Sequence, residues 1–136
     1  MKKKLRLSHK KFIPVSKPLI TKKDADNVHK TLKEGWISSE GPKVKKFEKK
    51  FSKLVDRKFS ISVANGTAAL EIAIKAIGIK KDDEVIIPNF TIISNALAVI
   101  RQNAKPVLVD CDLDNWNMKI SDIEKKITKK TKAIIA

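Results

Sequence analysis

The chain has 136 residues with 42% hydrophobic content, enough for about one domain with a core. No apolar run approaches bilayer length, and Met1-Lys2-Lys3-Lys4 leads into mixed polar sequence, not a signal-peptide core; this predicts a soluble, cytoplasmic protein with no membrane partner. A lone cysteine, Cys111, excludes an intrachain disulfide, and with only His9 and His29 besides it no metal centre is expected.

The formal charge of +15 raises nucleic-acid binding as a function, because clustered cations release the counterions of a phosphate backbone. The distribution argues otherwise. Arg6, Arg57 and Arg101 are the only arginines, whereas base readout and bidentate phosphate contacts favour arginine. The lysines, such as Lys43, Lys45, Lys46, Lys49, Lys50 and Lys53, fall on polar faces of predicted helices, as expected of solvated surface.

Met1 to Lys11 read as a basic tail. In Phe12 to Leu19, two prolines forbid helix and favour an extended segment. Thr21 and Asp24 form a helix-start pattern, and the helix they open carries Ala25, Val28 and Leu32 on one side until Gly35 stops it. The loop Gly35 to Pro42 contains Trp36, either pinned to a core or lining a site. Val44, Phe47, Phe51 and Leu54 recur at helical spacing and predict an amphipathic helix from Pro42 to about Val55.

From Phe59 the pattern becomes strands alternating with helices. Strands are predicted at Phe59 to Ala64, Glu84 to Pro88, Lys105 to Asp110 and Lys132 to Ala136. The helices between them are Thr67 to Ile77, buried and ended by Gly78; Thr91 to Asn103, with Ile93, Ala96, Leu97 and Ile100 inward; and a short one capped by Ser121 with Glu124. This order implies an α/β fold with a mainly parallel sheet and helices on both faces. Ligands of such sheets bind beyond the carboxyl ends of the strands, where Asn65-Gly66-Thr67, Asn89-Phe90-Thr91 and Asp110-Cys111-Asp112 are expected to converge. Residues 1–58 form an N-terminal region of tail, extended segment and two helices, and 59–136 the start of the sheet domain. The chain stops within what reads as a central strand, as in the N-terminal fragment of a larger domain.

Asn65-Gly66-Thr67 stands where strand turns into helix. The first amides of a helix lack intrahelical partners and lie at its positive end, so a phosphate there gains both hydrogen bonds and charge. The same residues also serve as ordinary capping and turn chemistry.

Leu19-Ile20-Thr21, Gly35-Trp36-Ile37-Ser38, Gly41-Pro42-x-Val44-x-x-Phe47-Glu48, Asn65-Gly66-Thr67-Ala68-Ala69-Leu70, Asp83 to Pro88, Pro106 to Asp110, Trp116-Asn117 and Lys130 to Ile135 follow one another in an order that resembles the nucleotide-sugar aminotransferases. Among these pyridoxal-phosphate (PLP) enzymes the chain resembles perosamine synthase and its relatives. The resemblance runs from Ile13 to Ala136 and implies the N-terminal part of an aspartate aminotransferase-like (type I) large domain. It implies that Gly66, Thr67 and Ala68 hold the phosphate of PLP and that Ile92 lies against the pyridine ring, where the family carries an aromatic residue that stacks. Trp36 and Ser38 would lie near the substrate, and the site would be shared in a homodimer. The complete enzyme would transfer an amino group from glutamate to a nucleotide-linked 4-keto-6-deoxysugar. The family's Schiff-base lysine, and the acid that pairs with the pyridine nitrogen, match positions beyond Ala136, so no catalytic residue is assigned here and the chain by itself is expected to be inactive. Two alternatives stand beside this reading: a sugar dehydratase of the same fold, with histidine for the lysine, and a non-catalytic basic binding module.

Overall fold

The computed structural model describes residues 12–136, and the basic tail with His9 lies outside them. The described residues divide into two compact units between Ser60 and Ile61.

In the first unit, residues 12–20 carry neither helix nor strand, as two prolines dictate. Helix α1, Lys22–Lys33, opens on a complete capping box: Asp24 N–H donates to Thr21 Oγ1 at 3.3 Å, and Thr21 N–H donates to Asp24 Oδ2 at 2.8 Å. It ends before Gly35, whose φ of 78° needs a residue without Cβ. Helix α2, Pro42–Leu54, starts with proline in its first turn and stacks Phe47 on Phe51. Trp36 packs over Gly41 between the two helices, where a Cβ on the glycine would touch the Trp36 side chain at 3.5–3.6 Å.

The second unit contains α3 (Gly66–Ala76), β1 (Glu84–Pro88), α4 (Ser94–Ile100), β2 (Lys105–Val109), α5 (Ile120–Lys126) and β3 (Thr131–Ile134). The strands form one parallel sheet in the order β2-β1-β3. Glu84 pairs with Lys105 and Pro88 with Val109 on one side of β1, and Val85 with Ala133 on the other. Crossovers β1-α4-β2 and β2-α5-β3 run in opposite directions across the sheet, so right-handed connections put α4 and α5 on opposite faces. Val85 and Ile87 on one face of β1 pack with Ile74, Ile79, Ala98, Val99 and Ala104, and Ile86 is buried on the other face.

Several expectations are corrected. Phe59 to Ala64 runs without a ladder: the sheet has three strands among the described residues, and an extended segment becomes a strand only by pairing. The central strand is β1, with β3 at an edge. Helix α3 is covered on one face only, with Ile74 buried and Ile72 half exposed. Helix α4 is shorter than expected: ahead of it the Thr91 hydroxyl accepts a hydrogen bond from the Asn95 side-chain Nδ2 at 2.8 Å, and beyond it Asn103 takes a left-handed φ of 57°. Its inward stripe is Asn95, Ala98 and Val99, with Ala96 at the margin, while Ile93, Leu97 and Ile100 are exposed. The helix is apolar on both sides, and small Ala98 allows closer approach to the sheet than Leu97 would. Ser121 lies inside α5, not at its cap: a Cys111–Met118 bridge delivers the chain to Lys119, whose carbonyl accepts the amides of Asp122 and Ile123.

Candidate active site

Asn65 precedes α3 with extended backbone, and its side-chain oxygen accepts the Ala68 amide at 3.0 Å. The first intrahelical bond, Ala69 N–H to Asn65 O, is 3.1 Å long. The amides of Gly66 and Thr67 therefore stand without partners among the described residues, at the positive end of an 11-residue helix. Gly66 has neither a positive φ nor any neighbour within 4 Å that a Cβ would strike. Nothing within the fold requires glycine there; a ligand brought close to the amide would.

The Thr67 hydroxyl lies 2.8 Å from that of Ser94, the first residue of α4, 27 positions later in the chain. Both line a cavity of about 560 Å³ with Gly66, Ala69, Leu70, Ala73 and Ile92. This volume suits a small cofactor. Gly66, Thr67 and Ile92 thus line one cavity, and Ile92 is exposed. Ala68 is not on the wall, and its amide already has the Asn65 oxygen as partner. The Arg101 guanidinium, just past α4, pairs with the Glu71 carboxylate on α3, giving a second link between the helices. Two free amides, a hydroxyl pair and an apolar wall fit a phosphate ester joined to a flat ring.

Asn89 and Asp110 follow adjacent strand ends, joined by Asn89 N–H to Val109 O at 2.8 Å. With Leu108, Asp122, Lys125 and Lys126 they line a cavity of about 280 Å³. Lys125 is paired with Asp122 at 2.9 Å; its hydrogen bond, then its charge, hold the Asp122 carboxyl below its ordinary range. Phe90 packs against Trp116 with ring centroids 5.0 Å apart, so it does not replace the missing aromatic at position 92. In the first unit Trp36 lines a cavity with Val28, Thr31 and Leu32, whereas Ser38 is outside that lining and its hydroxyl accepts the Glu40 amide at 3.4 Å.

Nothing local in the sequence singles out Ser94. A serine in an apolar helix start is unremarked locally, and its partner is set by the packing of α4 on α3.

The sequence profile of the DegT/DnrJ/EryC1/StrS aminotransferase family matches residues 18–136. The chain belongs to this family. It is 45% identical over 125 residues to GDP-perosamine synthase of Escherichia coli O157:H7, which covers 92% of this chain and 34% of that protein. It is 42% identical over 124 residues to the spore coat polysaccharide biosynthesis protein SpsC of Bacillus subtilis, covering 91% and 32%. Among solved structures, Spr1654 of Streptococcus pneumoniae, seen in PLP and PMP forms, superposes with a TM-score of 0.81 at 35% identity, covering 90% of this chain and 31% of that one. NtdA of B. subtilis with bound cofactor PMP gives 0.76 at 30% identity, covering 85% and 27%. The chain spans about a third of the length of the curated relatives it matches. The fold is therefore that of the PLP-dependent aminotransferases, and the parallel sheet is a part of it.

Proposed function

We propose that the chain contributes the phosphate cup and one wall of the cofactor slot in a PLP-dependent sugar aminotransferase. The observation that carries this is the cavity in which the unpartnered Gly66 and Thr67 amides, the Thr67 hydroxyl and Ile92 meet. Gly66 and Thr67 bind the phosphate through their amides, and Thr67 adds a hydroxyl donor. Ile92, Leu70 and Ala73 exclude water from the ring side, Ile92 by apolar cover without π-stacking. PLP, when bound, supplies an electrophilic carbon for the amino group and a ring that withdraws electrons from it. Ala68 contributes less than Gly66 or Thr67, since its amide is shared with Asn65.

The name GDP-perosamine synthase on relatives at 45% and 34% identity supports a nucleotide-linked sugar as substrate. We propose the 4-keto-6-deoxy class, with glutamate as amino donor, Trp36 and Ser38 near the sugar, a homodimeric assembly and a cytoplasmic location. The resemblance implies a covalent lysine at a position beyond those matched here, so transfer is expected of the complete protein. The test is to incubate the complete protein with PLP, glutamate and nucleotide-linked 4-keto-6-deoxysugars, and to follow the product by mass spectrometry. The amino sugar and 2-oxoglutarate are expected together. Loss of water from the sugar without nitrogen gain would instead identify a dehydratase.

A further inference from the structure

We infer that Ser94 is a positioning residue of this site, acting on the phosphate through the hydroxyl of Thr67; the inference rests on the cofactor reading above. The two hydroxyl oxygens are 2.8 Å apart, both side chains are partly buried, and both line the cavity that holds the Gly66 and Thr67 amides. Each hydroxyl has one proton and two acceptor positions, so only one proton lies between the oxygens. With Thr67 as donor, its lone pairs would face an incoming anion and repel it. With Ser94 as donor, the Thr67 proton is free to point at the anion. An anion on the neighbouring amides selects the second arrangement, giving a relay from Ser94 to Thr67 to phosphate in which each bond polarises the next.

The bond also restricts rotation. Threonine in a helix divides between two χ1 rotamers, and the Ser94 oxygen selects the one that keeps the hydroxyl at the cavity. Ser94 is itself held in place, because α4 packs on the sheet through Ala98 and Val99 and pairs Arg101 with Glu71 on α3. The Thr67 donor is thus aligned before a ligand arrives, which reduces the ordering cost of binding.

The test uses the complete apoprotein and pyridoxine 5′-phosphate, which has no aldehyde and so cannot label lysines, with phosphate-free pyridoxine as the control. Binding is read from ring fluorescence, and the bound phosphate from its 31P resonance. Ser94→Ala is expected to weaken the phosphate ester roughly three- to tenfold, the range of one hydrogen bond, to move the 31P signal and to leave pyridoxine unaffected. Ser94→Thr should retain affinity, and adding Ser94→Ala to Thr67→Val should weaken binding no further. Ser94→Cys, of similar volume with a weaker donor, should reproduce the loss if the alanine variant folds poorly. Unchanged binding in Ser94→Ala and Ser94→Cys while Thr67→Val weakens it would overturn the inference and leave the phosphate cup standing. Additive losses in the double variant, or equal losses for pyridoxine, would overturn it too. No effect of Thr67→Val would remove both the inference and the cup.

Discussion

The Asn65 side-chain oxygen accepts the Ala68 amide at 3.0 Å, so the residue that opens α3 uses one of the three amides expected to hold phosphate. Capping, one of two readings of Asn65-Gly66-Thr67, takes the Ala68 amide and leaves those of Gly66 and Thr67 for the proposed anion. Substitution separates them. Asn65→Ala should cost about 0.5–2 kcal/mol of stability, as loss of an N-cap does, measured by denaturant unfolding of the complete protein. Asn65→Asp should keep the cap but lower PLP affinity, because it brings a negative charge beside the phosphate. Equal PLP affinity in the Asp variant would tell against an anion at this helix start.

Thr67→Val removes the hydroxyl and nearly preserves shape. PLP affinity of the complete protein should fall by about 1.5–3 kcal/mol, the worth of a hydrogen bond to a charged group. A spectrophotometric PLP titration checks this, and an unaltered dissociation constant counts against the assignment.

The start of α1 should be acid-sensitive. Hydrogen bonds from the Thr21 side chain, then its backbone, hold the Asp24 carboxyl below its ordinary value of 3.8. The folded value is lower than the unfolded one, so the stabilisation is complete above the unfolded value and is lost as pH falls through the folded one. An NMR titration of the Asp24 carboxyl should give a midpoint below 3.8, and Thr21→Val should raise it. A midpoint unmoved by that substitution would show that the capping box does not form in solution.

The charge of +15 should produce only weak, sequence-independent DNA binding that moderate salt abolishes. Fluorescence anisotropy with unrelated duplexes across a salt series measures this. Tight, sequence-selective binding at physiological ionic strength would support the basic-module alternative over the enzyme.

Elements whose boundaries rest on local chemistry were legible in the sequence. Thr21 with Asp24, Gly35, Pro42 and Gly78 mark helix ends through hydrogen bonds and φ values set within a few residues, and β1 and β2 lie where short apolar runs predicted them. Gly66 and Thr67 could be nominated in a similar way, because small polar residues ahead of an apolar helical run mark a helix start, whereas Ile92 is reached only through the resemblance that the ordered family blocks carry. Tertiary structure decided the rest. Phe59 to Ala64 has the alternation of a strand but no ladder, and pairing belongs to two segments at once. Helix α4 has two apolar stripes, and only packing on β1 and β2 selected Asn95, Ala98 and Val99. The partnership of Thr67 with Ser94, 27 positions apart, depends on the angle and separation of α3 and α4, which the chain between them does not encode locally. A hydroxyl's reach is about 3 Å, so the relation exists only once the two helices are packed.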